Sequence, residues 1–297
     1  MGQFKKQLKW YFLIFLAVIC GLVWYAVFRE SRSELTVYVL DIGQGDAIFI
    51  EAPNGNQILI DGGPNGKILE ELGNIMPFYD RTIDTLILTH PHEDHLNGLI
   101  EVLKKYKVSA VLESGNNGKT SAYDVFQKLI KENGARHFYV KRGTKLNIAQ
   151  SLQLNILLPI FNLQNGGIHN QMVVGKLIYG KTSFMLTGDM EKNLENYLVV
   201  LEKENFHPTS DDPKGQKIKS DVLKVSHHGS KTSTSEIFLG WVSPKYAVIS
   251  AGEKNKYGHP NKEVLDRLEK FGAQIFRTDL NGLIKIKSDG QNIEIKN

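Results

Sequence analysis

The residues with the clearest capacity for chemistry lie in one short run, Thr89-His90-Pro91-His92-Glu93-Asp94-His95. Three imidazoles and Asp94 fall within six positions, directly after the apolar stretch Thr85–Thr89 (TLILT), which reads as a buried strand. Imidazole nitrogen and carboxylate oxygen suit zinc and other divalent first-row metals. This spacing lets His90 and His92 serve one ion while Asp94 and His95 serve a second. The single cysteine, Cys20, excludes a disulfide framework and any cysteine-based zinc cluster. A metal here must therefore be held by His, Asp or Glu. Neither a Gly-x-Ser-x-Gly elbow nor a phosphate-binding P-loop occurs, so covalent serine catalysis and nucleotide-driven chemistry have no support.

The surrounding elements must position that run. Strands are expected at Leu35–Leu40, Ala47–Glu51 and Gln57–Ile60, the last two joined by the turn Pro53-Asn54-Gly55-Asn56. Apolar residues at 96, 99, 100 and 103 predict a helix over His95–Lys105. Further on, a helix is expected near Tyr123–Asn133, and strands at His137–Val140, Leu152–Leu158, Met172–Tyr179 and Ser183–Leu186. A helix over Glu191–Glu204 precedes strands at Val222–Ser226 and Tyr246–Ser250. The helix Asn261–Phe271 and a short pair of strands, Gln274–Arg277 and Leu283–Lys287, close the chain. Strands outnumber helices and helices occur in both halves, which suggests an α/β body of two packed sheets with helices outside. The polar segment Asn205–Lys219 reads as an exposed loop, with His207 a solvated surface residue.

Ahead of this body, Trp10–Phe28 (WYFLIFLAVICGLVWYAVF) runs 19 residues without a charge. As a helix it reaches about 28 Å, close to the roughly 30 Å of bilayer hydrocarbon. Trp10, Tyr11, Trp24 and Tyr25 lie near its ends, where amphipathic rings prefer to sit. A cleaved signal peptide would need a shorter apolar run and a small-residue exit, which Tyr25-Ala26-Val27-Phe28 does not provide. Ile19 before Cys20 is too bulky for a lipoprotein site, so Cys20 reads as a small residue facing lipid. Lys5, Lys6 and Lys9 precede the span and the following flank is balanced, so the positive-inside rule places residues 1–9 in the cytoplasm. The division expected is thus a cytoplasmic start at 1–9, an anchor at 10–28, a linker at 29–34 and an extracytoplasmic domain at 35–297. The net charge of +4 arises mostly in the first 34 residues, which hold five cations and two anions. A nearly neutral body gives no global electrostatic argument for nucleic-acid binding.

The chain resembles the metallo-β-lactamase superfamily, whose signature is HxHxDH. Within that superfamily it is similar to the extracellular hydrolase domain of ComEC-type competence proteins. The blocks that carry the likeness are LDIGQGDAIFI (40–50), ILIDGG (58–63), LILTHPHEDHLNGL (86–99), FMLTGD (184–189), LKVSHHGSKTS (223–233) and YGHPNKEVLDRL (257–268). The resemblance implies a four-layer αββα fold with a pair of divalent ions, Zn²⁺ or Mn²⁺, at the edge of the two sheets. It assigns His90 and His92 to the first ion, Asp94 and His95 to the second, and Asp189 to the bridge between them. His228 is expected as the remaining ligand of the second ion, with His227 beside it orienting ligands or touching a phosphoryl oxygen; the reverse order is open. His259 matches a late histidine near the substrate or the second ion. Either His169 or Asn170 completes the first site; the family's ComEC branch ends this stretch Ser-Leu-Val, where the chain has Met172-Val173-Val174. Asp61 in Ile60-Asp61-Gly62-Gly63 is expected to hydrogen-bond a metal ligand or loop amides, while Asp46 carries no assigned chemistry.

The implied activity is hydrolysis of a phosphodiester, possible substrates including DNA, with Asp94 or Asp189 orienting the water and His227 or His259 assisting the leaving group. Ester or lactone hydrolysis is the alternative on the same fold. Another reading is a DNA-binding accessory that works beside a separate channel subunit, since one span cannot itself form a pore.

Overall fold

The structure, a computed structural model, describes residues 2–30, 34–115, 118–160, 171–204 and 217–296; for 2–6 and 26–30 it describes the backbone alone. His169, Asn170 and His207 lie outside the described residues. The first element is helix α1 (Gly2–Glu30), whose apolar window Gln7–Tyr25 is long enough to cross a membrane and is not buried by the rest of the chain.

The body begins with β1 (Leu35–Val39), β2 (Ile48–Glu51), β3 (Gln57–Ile60), α2 (Lys67–Ile75), β4 (Thr82–Leu88), α3 (Glu93–Lys105), β5 (Lys107–Glu113), α4 (Ser121–Asn133) and β6 (Arg136–Tyr139). It continues with β7 (Lys145–Ala149), β8 (Leu152–Leu158), β9 (Val174–Tyr179), β10 (Thr182–Leu186), α5 (Lys192–Glu204), β11 (Val222–Lys224), α6 (Glu236–Val242), β12 (Tyr246–Ile249) and α7 (Lys262–Lys270). Last come β13 (Gln274–Arg277), α8 (Thr278–Asn281), β14 (Ile284–Ser288) and β15 (Ile293–Lys296). Among the described residues these strands form two sheets, in the orders β15-β14-β1-β2-β3-β4-β5-β6 and β13-β12-β11-β10-β9-β8-β7.

Alternation along the strands divides the apolar side chains among three layers. Val37, Val39, Ile50, Ile58, Ile87, Leu154, Leu177, Phe184 and Val222 pack between the sheets. The opposite faces are covered separately: Leu59, Leu86 and Val111 pack with Leu72, Leu99 and Phe126 from α2, α3 and α4. Met185, Leu223 and Ala247 pack with Leu198, Phe238 and Leu268 from α5, α6 and α7. The order is therefore helix, sheet, sheet, helix, the αββα arrangement expected from the resemblance.

Two expectations are corrected. The closing strands Gln274–Arg277 and Leu283–Lys287 do not pair: β13 joins β12 in one sheet, whereas β14 joins β1 in the other, with Val37 opposite Ile286. The connection Thr278–Asn281 forms α8, across which the chain passes from the edge of one sheet to the other. Within Asn205–Lys219, expected to be exposed, the described Ile218 is fully buried in the layer under α5 and α6.

Candidate metal centre

Every chemically interesting loop leaves the same end of the sheets. In parallel strands the carboxyl ends face one way, so loops after β3, β4, β10, β11 and β12 gather there. The run His90–His95 connects β4 to α3, with His92 at the helix N-cap and Asp94 and His95 in its first turn. Asp189 follows β10 in the turn Thr187-Gly188-Asp189, and His227 and His228 follow β11 in a tight turn over Ser226–Gly229. His227 and His228 both hold positive φ, 50° and 54°, which costs energy for residues with a Cβ and is kept only where the surroundings over-determine it.

Two groups of ligand-type side chains result, and they share one carboxylate. Asp94, His95, Asp189 and His228 bring one donor atom each within 4.8 Å of one another, and so do His90, His92 and Asp189. His95 Nε2 stands 3.3 Å from Asp189 Oδ2, and His228 Nε2 stands 3.5 Å from both Asp189 Oδ1 and Asp94 Oδ2. His90 Nε2 approaches the same oxygen as His95, 3.6 Å from Asp189 Oδ2, and lies 3.0 Å from His92 Nδ1. His227 Nε2 is 3.8 Å from Asp189 Oδ2 and its ring is partly exposed. Of the adjacent histidines, His228 thus faces both carboxylates, while His227 stands at the mouth. His259 lies beside His227, ring centroids 6.0 Å apart, and its Nδ1 is buried without a hydrogen bond.

The supporting contacts fix which nitrogen of each imidazole faces inward. His95 Nδ1 is 2.8 Å from Asp61 Oδ2, and His228 Nδ1 is 3.0 Å from the Ser250 carbonyl and 3.3 Å from Asp46 Oδ1. These partners only accept, so both Nδ1 atoms must donate. Their Nε2 atoms are buried without a hydrogen bond, as is Asp189 Oδ1, and all three point into the centre. Asp61 also accepts from the Thr89 backbone N–H and hydroxyl at 2.8 and 2.7 Å, and so joins β3 to the histidine loop. The further trio Asp46, Asp61 and His95 has its oxygens committed to these contacts and to Lys224.

Charge balance explains the donor set. Burial opposes ionisation of Asp189, yet His95 and His228 outweigh it and hold the carboxyl well below its usual range. Asp94 is likewise pulled down to about 2, burial being overcome by His228 and His95. Burial would lower His95 and His228, but the facing carboxylates raise His95 well above its ordinary value and His228 to about 9. Burial and the neighbouring His95 push His90 far down. Two protons on His95 and His228 therefore balance the acids, and divalent cations replacing those protons would suit the same oxygens and nitrogens. Orphaned buried donor atoms and a hard, mixed N/O donor set both fit divalent metal ions.

Two features escaped the sequence reading. The first is Lys224, which ends β11 and is only 2% exposed; its ammonium reaches Asp46 Oδ1 at 2.7 Å and Oδ2 at 2.8 Å. This pair joins the two sheets beneath His228. A charged residue closing an apolar strand carries no sequence signal for burial; only its place in LKVSHH beside the histidines was legible. The second is close packing of glycines. A Cβ on Gly45 would strike the Asp94 carbonyl, and one on Gly98 would strike the Gly62 carbonyl, so the loops of 43–46 and 61–63 press directly on α3. A cleft of about 590 Å³ opens beside the centre, lined by Gln44, Asn65, His92, Asp94, Asn97 and Tyr257 among others.

A sheet-pair fold with histidine and aspartate loops at one edge defines a class. The model of the metallo-beta-lactamase superfamily matches residues 40–253, and the chain belongs to that superfamily. Among curated relatives it is 36% identical over 289 residues to ComE operon protein 3 of Bacillus subtilis, covering 91% of this chain and 35% of that protein. It is 29% identical to competence protein ComA of Neisseria gonorrhoeae, over 90% of this chain and 34% of the relative. The chain thus spans about a third of the length of these relatives. In fold it is similar to YhfI, a metallo-beta-lactamase fold protein from Bacillus subtilis, with a TM-score of 0.52, 11% identity, and coverage of 82% of this chain and 95% of that one.

Proposed function

We propose that the chain is a metal-dependent phosphodiester hydrolase with DNA as substrate, held on the outer side of a membrane by α1. The observation that carries this reading is the sharing of Asp189 between two histidine-containing groups, the arrangement a dinuclear centre requires. His90, His92 and Asp189 would hold one ion; Asp94, His95, His228 and Asp189 would hold the other, with His169 or Asn170 as a further donor to the first. Two divalent ions, Zn²⁺ or Mn²⁺, would supply Lewis-acid polarisation and acidify water toward neutral pH. The chain's own groups do the rest. Asp94, at the edge of the cleft, orients the attacking water. His227 and His259, paired at the mouth, donate hydrogen bonds to phosphoryl oxygens and a proton to the leaving oxygen. The cleft walls offer the amides of Gln44, Asn65 and Asn97 to an anionic backbone.

The relative named for competence supports DNA as the polymer. The test is turnover of bis-p-nitrophenyl phosphate and of single-stranded DNA by the full chain with added Mn²⁺ or Zn²⁺. His92→Ala and Asp189→Asn should abolish it. Metal binding without hydrolysis of any phosphodiester would move the assignment to an ester or lactone. Salt-sensitive DNA affinity without turnover would make the domain a DNA guide instead.

A further inference from the structure

Phe78 is 85% exposed, more than any other large apolar side chain among the described residues, and Tyr79 beside it is 64% exposed. The two rings meet edge to face at 5.4 Å in the loop between α2 and β4. Nothing in the centre uses them, because they lie at the other end of the sheet. Hydrogen bonds from the Gln57 side chain to Asp80 (2.8 Å) and from the Gln57 amide to Asp84 (2.8 Å) tie this loop to the first residue of β3. Strand β1 pairs antiparallel with β2 and β2 antiparallel with β3, so β1 also starts at this end. Strand β4, seven residues long, places the histidine loop roughly 23 Å away.

Glu30 ends α1 and Leu35 begins β1. The five Cα steps from Glu30 to Leu35 span at most about 19 Å. The entry of β1 is therefore tethered close to wherever α1 ends. Two strand spacings of about 4.8 Å separate that entry from Gln57 and the aromatic loop. Arg81 follows the loop, the Lys107 amide donates to its carbonyl, and Lys104 and Lys105 close α3. Lys104 pairs with Glu101, the Lys107 ammonium donates to the Asn133 carbonyl, and Asp80 and Asp84 are the anions beside Gln57. Arg81 keeps its guanidinium over the Tyr106 ring, and Lys107 starts β5 opposite Thr82.

We propose that Phe78 and Tyr79 seat in the lipid headgroup interface entered by α1, with the surrounding cations facing anionic lipid, so that the domain stands with its metal-ligand end away from the membrane. Exposed aromatics beside a short membrane tether match the preference of such rings for the interface, and basic side chains there gain from anionic headgroups. The inference rests on the membrane reading of α1 given above. It adds which face docks and where substrate must approach: from the aqueous side, not along the bilayer.

The full chain in nanodiscs containing phosphatidylglycerol provides the test. In a Cys20→Ala background, a nitroxide on Phe78→Cys should collide preferentially with lipid-dissolved oxygen. The same label on Lys254→Cys, in the loop after β12, should favour an aqueous nickel chelate, giving a several-fold difference in the accessibility ratio. Equal aqueous exposure at both sites, with the chain retained on membranes after carbonate washing, overturns the docking face and leaves the anchor intact. Release of the chain by carbonate overturns the anchor reading, and the inference with it. Dipolar broadening between labels at position 78 would show a second copy covering the aromatics, and would also overturn it. Phe78→Trp, placed in nanodiscs with brominated lipid, gives an independent check: added quenching relative to the parent chain is expected.

Discussion

The buried pair of Lys224 and Asp46 offers the sharpest perturbation, because both side chains are 2% exposed and both sheets depend on it. Asp46 is held well below its usual range against the cost of burial, chiefly by Lys224 and then by His228. Lys224→Met removes the ammonium and leaves a carboxylate in the interior, for which breaking one partner of a buried pair costs about 3–5 kcal/mol. Asp46 Oδ1 also lies 3.3 Å from His228 Nδ1, which is hydrogen-bonded to the Ser250 carbonyl, so losing this charge loosens the imidazole whose Nε2 faces Asp94 and Asp189. Asp46→Asn should therefore weaken metal binding by about 10–100-fold, the usual cost of losing a partner that supports a metal ligand from outside. That corresponds to about 1.4–2.7 kcal/mol. Removing both charges together, in Lys224→Met with Asp46→Leu, should restore most of the stability while metal affinity stays low. The assays are denaturant unfolding of the metal-free chain and competition for metal against a fluorescent chelator. A Lys224→Met variant that loses less than about 1 kcal/mol, and titrates metal as the parent does, would refute the reasoning.

Other outcomes follow from the same geometry. Asp61→Ala frees His95 Nδ1 and the Thr89 amide at once, so metal affinity should fall at least as far as in Asp46→Asn, measured by the same competition. Gly45→Ala would force a Cβ into the Asp94 backbone at φ +136°, and should lower the thermal midpoint and disturb metal binding together. In the metal-free chain, His228 titrates near 9 against 6.5 when unfolded, a raised value. Its contribution, about 3 kcal/mol at 1.36 kcal/mol per unit, is complete below pH 6.5 and is lost as pH rises through 9. Denaturant midpoints of the metal-free chain should decline across that window, while metal affinity rises because the same proton is displaced. Flat profiles in both would contradict the charge balance drawn for the centre.

What could be read from the sequence was what is local. The run from His90 to His95 sits on six consecutive positions, and the strands before it and the helix after it are marked by apolar spacing. Strand β5 went unread because Tyr106 passes from helix to strand with no Gly, Pro or Asn between them. Strand β7, with only Ile148 buried, lacks the apolar content of an interior strand. Helices α2 and α6 are short and were hidden among polar residues and serines. Pairing was the least accessible: β1 finds its partner in β14, some 250 positions away, and nothing in either strand names the other. The inward side of Asp189 and the choice of His228 over His227 likewise depend on three loops meeting, which periodicity cannot show. Nothing in the sequence around Lys224 marks it for burial opposite Asp46, 178 positions away.

The most direct measurement is the metal content of the purified full chain after loading with Zn²⁺ or Mn²⁺ and exhaustive dialysis, set beside that of Asp189→Asn. The shared carboxylate predicts two equivalents per chain and a loss in the variant from both positions. A parent chain that retains no metal, or a variant that retains as much as the parent, would contradict a centre built around Asp189.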